Sequence, residues 1–217
     1  MIKTKGDIPI KTVLILSPHT DDGELGCGGS IARFIEEGKE VYYCAFSTAE
    51  TSVPKGYPKN ILETEVKKAT SALNIPKNNL FIFKYNVRKL NYVRQDILEH
   101  LVVLNKKIKP DLVFMPVKND LHQDHSTVAM EGLRAFKQCS ILGYELPWNS
   151  LTFNTQSFIT LKQKHITKKI KALSKYKSQS HREYMKESFI KSWAHTRGIQ
   201  IGTQYAETFE VMRWIMA

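Results

Sequence analysis

Cysteine is scarce in this chain: Cys27, Cys44 and Cys139 are the only three in 217 residues, and none forms a C-x-x-C pair. An odd number at such spacings excludes a disulfide framework and a thiolate zinc site, and it fits a reducing, cytoplasmic setting. Cys27 precedes two glycines and is expected to be a small buried packing residue. No apolar run approaches the ~18 residues that read as a membrane span. The opening segment has a short apolar run without a small-residue cleavage site, so no signal peptide is expected. Linkers, low-complexity tracts and internal repeats are also missing, and a single domain over residues 1–217 is expected, long enough to bury a sizeable core.

Acidic residues are in deficit. Against 32 Lys and Arg stand 21 Asp and Glu, a net charge of +11. The excess gathers at 161–186, where Ile166, Ile170 and Leu173 keep a helical seam and the lysines read as its solvated face. The same charge would attract an anionic substrate such as a sugar nucleotide or a phospholipid head group, and peripheral membrane contact is compatible with it. No interleaving of aromatic and basic residues marks a nucleic-acid site, so no specific nucleic-acid partner is expected.

What is present is an alternation of buried strands and helices. Residues 11–17 form a continuous apolar run of the kind found in a parallel sheet covered on both faces. A helix is expected over 28–37, ended by Gly38, then a strand at 40–47 and a loop at 49–60 marked by two prolines and a glycine. A helix at 61–73, a strand at 80–85, a helix at 92–108 and a strand at 110–116 follow, with another helix beginning near His125 and a fifth strand at 140–144. This order predicts an α/β fold with a mostly parallel, Rossmann-like sheet and helices on both faces.

In such sheets ligands bind beyond the carboxyl ends of the strands. The stretch 17–29, SPHTDDGELGCGG, follows the first strand, and Asp120, His122, Asp124 and His125 follow the fourth. The glycines could cradle a phosphate, but Asp21, Asp22 and Glu24 would repel it, and no nucleotide-loop pattern is matched. A metal uses more of the residues. His19, Asp22 and His125 can supply two imidazoles and one carboxylate, the donor set of a catalytic zinc site that keeps a position open for water. Asp21 stays free to take a proton from that water, and His122 is suited to donate to a developing oxyanion or leaving amine. Two histidines and a carboxylate also suit a non-haem iron oxygenase, and a sugar- or nucleotide-binding protein without turnover is a third alternative. His100, His165, His181 and His195 lack partners at ligand spacing and read as structural or exposed.

The two motifs, residues 19–29 and 120–125, closely resemble those of the LmbE-like, or PIG-L, deacetylases, and Lys109–Val113, Lys177–Ser180 and Gly202–Phe209 look like later landmarks of that family. The resemblance implies a Rossmann-like deacetylase fold and zinc-dependent removal of an N-acetyl group from an amino sugar, with Fe2+ or another divalent ion as the alternative metal. By motif, His19, Asp22 and His125 look like the metal ligands and Asp21 like the general base. His122 looks like the group that serves the oxyanion or the amine, and Asp124 like a carboxylate that orients this region. Three departures stand out: Thr20 replaces a usual proline, Gly23 stands where a glutamate is commoner, with Glu24 one place later, and Leu62 occupies the position of an arginine associated with substrate recognition. Arg88, Arg94 or a lysine would have to substitute for that arginine. Sugar nucleotides, lipid-linked sugars and free glycosides all stay open as substrates. A homo-oligomer is compatible with the family, and the loop from Tyr144 to Trp148 is expected to shape the pocket.

Overall fold

The structure, a computed structural model, describes residues 10–216; much of the opening segment read above falls on residues 1–9, outside that range. Seven strands form one sheet: β1 (Thr12–His19), β2 (Glu40–Ser47), β3 (Leu80–Ile82), β4 (Leu112–Pro116), β5 (Ser140–Tyr144), β6 (Ser157–Leu161) and β7 (Tyr205–Arg213). Their order is β3-β2-β1-β4-β5-β7-β6. The first five are parallel, while β7 runs antiparallel to both β5 and β6. The fold is the mostly parallel α/β sheet expected. The β6/β7 pair extends it at one edge and has no counterpart in the strand assignment made from periodicity.

Alternation along β1 explains the layers. Val13 and Ile15 face one core with α1 (Asp22–Glu36), α2 (Ile61–Ala72) and α5 (Gln163–Leu173). Leu14 and Leu16 face the other with α3 (Arg94–Ile108) and α4 (Gln123–Ala135). The remaining helix, α6 (Glu187–Ile199), follows on toward β7. All four β1 side chains are fully buried, each worth roughly 1.5–3 kcal/mol relative to exposure. Because β1 lies between β2 and β4, the chain leaves its carboxyl end in one direction and that of β4 in the other, which opens a crevice between the two ends. Among the described residues no helix is long and apolar enough to cross a membrane.

The first helix begins earlier than expected, at Asp22, and is broken at Cys27 (φ −144°, ψ 23°). Glycines 26, 28 and 29 disfavour a helix on propensity alone, so periodicity reveals only the half beyond the break. The break is clamped. Lys169 Nζ donates to the carbonyl of Leu25 at 2.6 Å and to Glu207 Oε1 at 2.7 Å. Glu207 in turn accepts the N–H groups of Gly29 and Ser30 at 2.9 and 2.7 Å and the Ser30 hydroxyl at 2.6 Å. A lysine on α5 and a glutamate on β7 thereby satisfy backbone groups that the break orphans on its two sides. This corrects the reading of the 161–186 lysines as a uniformly solvated face: Lys169 is only 2% exposed. Cys27 is buried as expected, its thiol directed at the Gly23 carbonyl.

Removing one member of a buried ion pair strands the other, at a cost of roughly 3–5 kcal/mol. Lys169→Met is expected to lower unfolding stability by that amount, and the double variant Lys169→Met/Glu207→Gln by less, since no charge is then left unpaired. Urea unfolding of the three proteins checks the order; a double variant less stable than Lys169→Met would contradict it.

Candidate metal centre and active-site cleft

His19 is the last residue of β1, and Asp21 and Asp22 open α1. His122 stands at the N-cap of α4, with Asp124 and His125 in its first turn. The two segments meet beyond the adjacent ends of β1 and β4.

Hydrogen bonds set the tautomers. His19 Nε2 lies 3.0 Å from Asp124 Oδ2, and His125 Nδ1 lies 2.8 Å from Asp120 Oδ2. A carboxylate accepts, so each ring carries a proton on that nitrogen and turns its other nitrogen inward. There His19 Nδ1, His125 Nε2 and Asp22 Oδ2 form a triangle with every edge 3.2 Å. Three donor atoms around a tetrahedral zinc, at ordinary bond lengths, stand about 3.3 Å apart. Three lone pairs facing one another repel unless a cation or a proton lies between them, so the donor set fits a divalent metal. His19, His122 and His125 also present ring nitrogens within 4.8 Å of one another and could hold a metal ion.

The protonation tendencies reflect this crowding. Burial disfavours the charged rings of His19 and His125, but the Asp22 charge and the hydrogen-bonded carboxylates lift them to about 9 and about 10. Burial works to raise Asp22, yet the two histidines hold it well below the usual carboxylate range. Burial and then the Asp22 charge push Asp21 up to about 6. His122 is depressed to about 4 by burial and by the other two rings. Its Nδ1 accepts the N–H of Asp124 at 3.1 Å, which leaves the ring proton on Nε2.

Glu24 supports the loop from behind. It is fully buried, its carboxyl raised to about 8 by that burial, and it meets the hydroxyls of Tyr43 and, at 3.0 Å, Tyr176. Both tyrosines also donate to the Thr20 carbonyl, at 3.0 and 2.6 Å. The glycine at 23 has a packing reason: a Cβ there would stand 2.7 Å from the Tyr43 ring. The Thr20 hydroxyl is buried with no hydrogen-bond partner among the described residues.

His19, Thr20, Asp21, Asp22, His122 and His125 line a cleft of about 220 Å³ whose other walls come from several later segments. Leu62 contributes an apolar patch. Trp148, on the loop expected to shape the pocket, stacks on Tyr184 with ring centroids 4.0 Å apart; Tyr144 is instead buried, its hydroxyl bonded to the Leu16 carbonyl. Of the candidate arginines, Arg88 lines the cleft, while Arg94 pairs with Glu131 away from it. Arg182 also lines it, a residue that sequence reasoning left in the basic tract. Glu65 fixes the loop before Arg182 by accepting the Ser178 N–H at 2.9 Å and its hydroxyl at 2.6 Å. The orienting partner of His125, Asp120, was legible as a member of the cluster but not in that role. His165 is a buried structural histidine paired with Glu36 at 3.1 Å.

A family model described as PIG-L, GlcNAc-PI de-N-acetylase, matches residues 14–136. The chain belongs to the PIG-L family. It is 27% identical over 174 residues to the uncharacterized deacetylase YaiS of Escherichia coli K12, covering 77% of this chain and 91% of that protein. In fold it is similar to the N,N'-diacetylchitobiose deacetylase of Pyrococcus horikoshii, with a TM-score of 0.77, 22% identity and coverage of 94% and 84% of the two chains. It is also similar to GalB, the 4-carboxy-2-hydroxymuconate hydratase of Pseudomonas putida KT2440, with a TM-score of 0.76, 16% identity and coverage of 96% and 98%. The fold alone therefore does not choose the reaction, whereas the matched family is one of deacetylases.

Glu65→Ala leaves the Ser178 N–H and hydroxyl without their acceptor, a cost of roughly 1–3 kcal/mol. Chemical denaturation is expected to show a loss in that range; an unchanged midpoint would mean that the 177–182 loop is held by other contacts.

Proposed function

We propose that this chain is a zinc-dependent hydrolase that removes the acetyl group from an N-acetylated amino sugar. The observation that carries the reading is the 3.2 Å triangle of His19 Nδ1, Asp22 Oδ2 and His125 Nε2 beside an uncommitted carboxylate, in a chain of a deacetylase family. In this reading those three residues hold the metal. Asp120 and Asp124 fix the two rings, and Asp21 and His122 handle protons.

Bound there, zinc would supply Lewis acidity and make a water nucleophilic near neutral pH. Asp21 then takes one proton from the attacking water as its oxygen adds to the acetyl carbon. His122, with its proton on Nε2, donates a hydrogen bond to the oxygen that becomes negative. When the C–N bond breaks, the nitrogen leaves with the proton Asp21 had taken, giving a free amine and acetic acid, which loses the second water proton to solvent to become acetate. Leu62, Trp148 and Tyr184 give the sugar an apolar and aromatic seat. The spare carboxylate at 21, suited to a hydrolytic proton transfer, favours this over an oxygenase.

Asp21→Asn is expected to keep the metal and lose at least a hundredfold in kcat, within the usual range for a general base. Elemental analysis alongside acetate release checks this; wild-type turnover would remove Asp21 from the proton-transfer role. Asp120→Asn is expected to weaken zinc affinity by roughly 10–100-fold, as loss of a ligand's hydrogen-bonded carboxylate does. A competition titration against a chromophoric chelator measures it, and unchanged affinity would mean that Asp120 does not serve His125 as a metal ligand.

A further inference from the structure

We infer that Arg88 and Arg182 form an oxyanion subsite at the rim of the cleft, so that the amino sugar this chain takes carries a phosphate or carboxylate group. The inference rests on the deacetylase reading for the identity of the sugar, and on the cleft itself for the anion. Both arginines are exposed residues of the cleft wall. Neither guanidinium is paired with a carboxylate among the described residues, whereas Arg33, Arg94, Arg134 and Arg197 all are.

Arg182 is fixed through its side chain and Arg88 through its backbone. Arg182 Nε donates to Gln179 Oε1 at 2.7 Å and Nη1 to the Tyr184 hydroxyl at 2.6 Å, with the guanidinium over the Tyr184 ring. Two of its five N–H donors are used, and the fork is oriented with the others unspent. Arg88 sits in the left-handed region at φ +64°, a conformation that costs a non-glycine residue energy and recurs where ligands are clamped. The bond holding it there is its own N–H to Asp124 Oδ2 at 2.6 Å, on the same carboxylate that orients His19. One carboxylate thus places an arginine and a candidate metal ligand together.

Leu62 brings no charge to its side of the wall, so cationic recognition falls to positions 88 and 182. The chain's net charge of +11 would draw an anion toward this rim.

The test compares acetate release from three N-acetyl sugars of similar size: the neutral methyl glycoside of N-acetylglucosamine, N-acetylglucosamine 1-phosphate and N-acetylmuramic acid. The wild type is expected to favour one of the two anions over the neutral compound by at least tenfold in kcat/KM, and which one it favours separates phosphate from carboxylate. Arg88→Gln and Arg182→Gln are each expected to collapse that ratio, chiefly through KM, with Arg182→Lys restoring part of it. A wild type that handles the neutral sugar as well as the anions, or a preference unaltered in both variants, overturns the subsite. If no compound releases acetate, the deacetylase reading fails by itself. Calorimetric binding of glucosamine 1-phosphate, muramic acid and glucosamine then still decides the subsite, which requires one of the anions to bind at least tenfold tighter than glucosamine and to lose that advantage in the variants.

Discussion

Three electron-rich atoms, His19 Nδ1, Asp22 Oδ2 and His125 Nε2, stand 3.2 Å apart at the end of a buried sheet, and that mutual crowding organises everything near it. Such an arrangement persists only if a cation or protons relieve it, and only if each atom is held against drifting away. The holding is visible. Asp124 and Asp120 grip the outer nitrogens of the two rings, and the N–H of His19 grips Asp22 at 2.8 Å. Strand order does the rest, because placing β4 beside β1 brings two distant segments to the same crevice.

Behind this lies a second layer that bears no chemistry of its own. Glu24 with Tyr43 and Tyr176 holds the Thr20 carbonyl, and Lys169 with Glu207 holds the broken first helix. The small residues of the glycine-rich stretch let aromatic rings come close: Tyr43 against Gly23 and Tyr144 against Gly26. The glycines therefore serve packing behind the acids. In front, the cleft wall comes from loops near Arg88, Trp148 and Arg182. A strand end and two helix starts place the candidate ligands, and loops form the wall that a substrate would meet.

The legible part of the site was the part whose residue types are unusual where they stand: acids and histidines directly after apolar strands. His19, Asp22 and His125 could be singled out because the α/β alternation put both motifs at one sheet edge. The pairing of Asp120 with His125 was hidden because a carboxylate's partner is a three-dimensional fact. Arg182 was hidden for a different reason. It lies in a tract whose net charge made every cation look like solvated surface, as it did for buried Lys169. The first helix was half legible, since glycine propensity argues against a segment that packing and a buried ion pair hold in place. β6, SFITL, is only half-buried and runs straight into the basic tract, so it lacks the continuous apolar run that marks the parallel strands.

In the proposed reading one zinc ion binds among His19, Asp22 and His125 and is required for acetate release. The most direct measurement is anomalous scattering at the zinc edge from crystals of the zinc-loaded protein, paired with acetate release from an N-acetylated amino sugar before and after chelation. A single strong peak bonded to those three residues is expected, with activity lost on chelation and restored by zinc. A peak elsewhere, or acetate release that survives complete removal of metal, would contradict it.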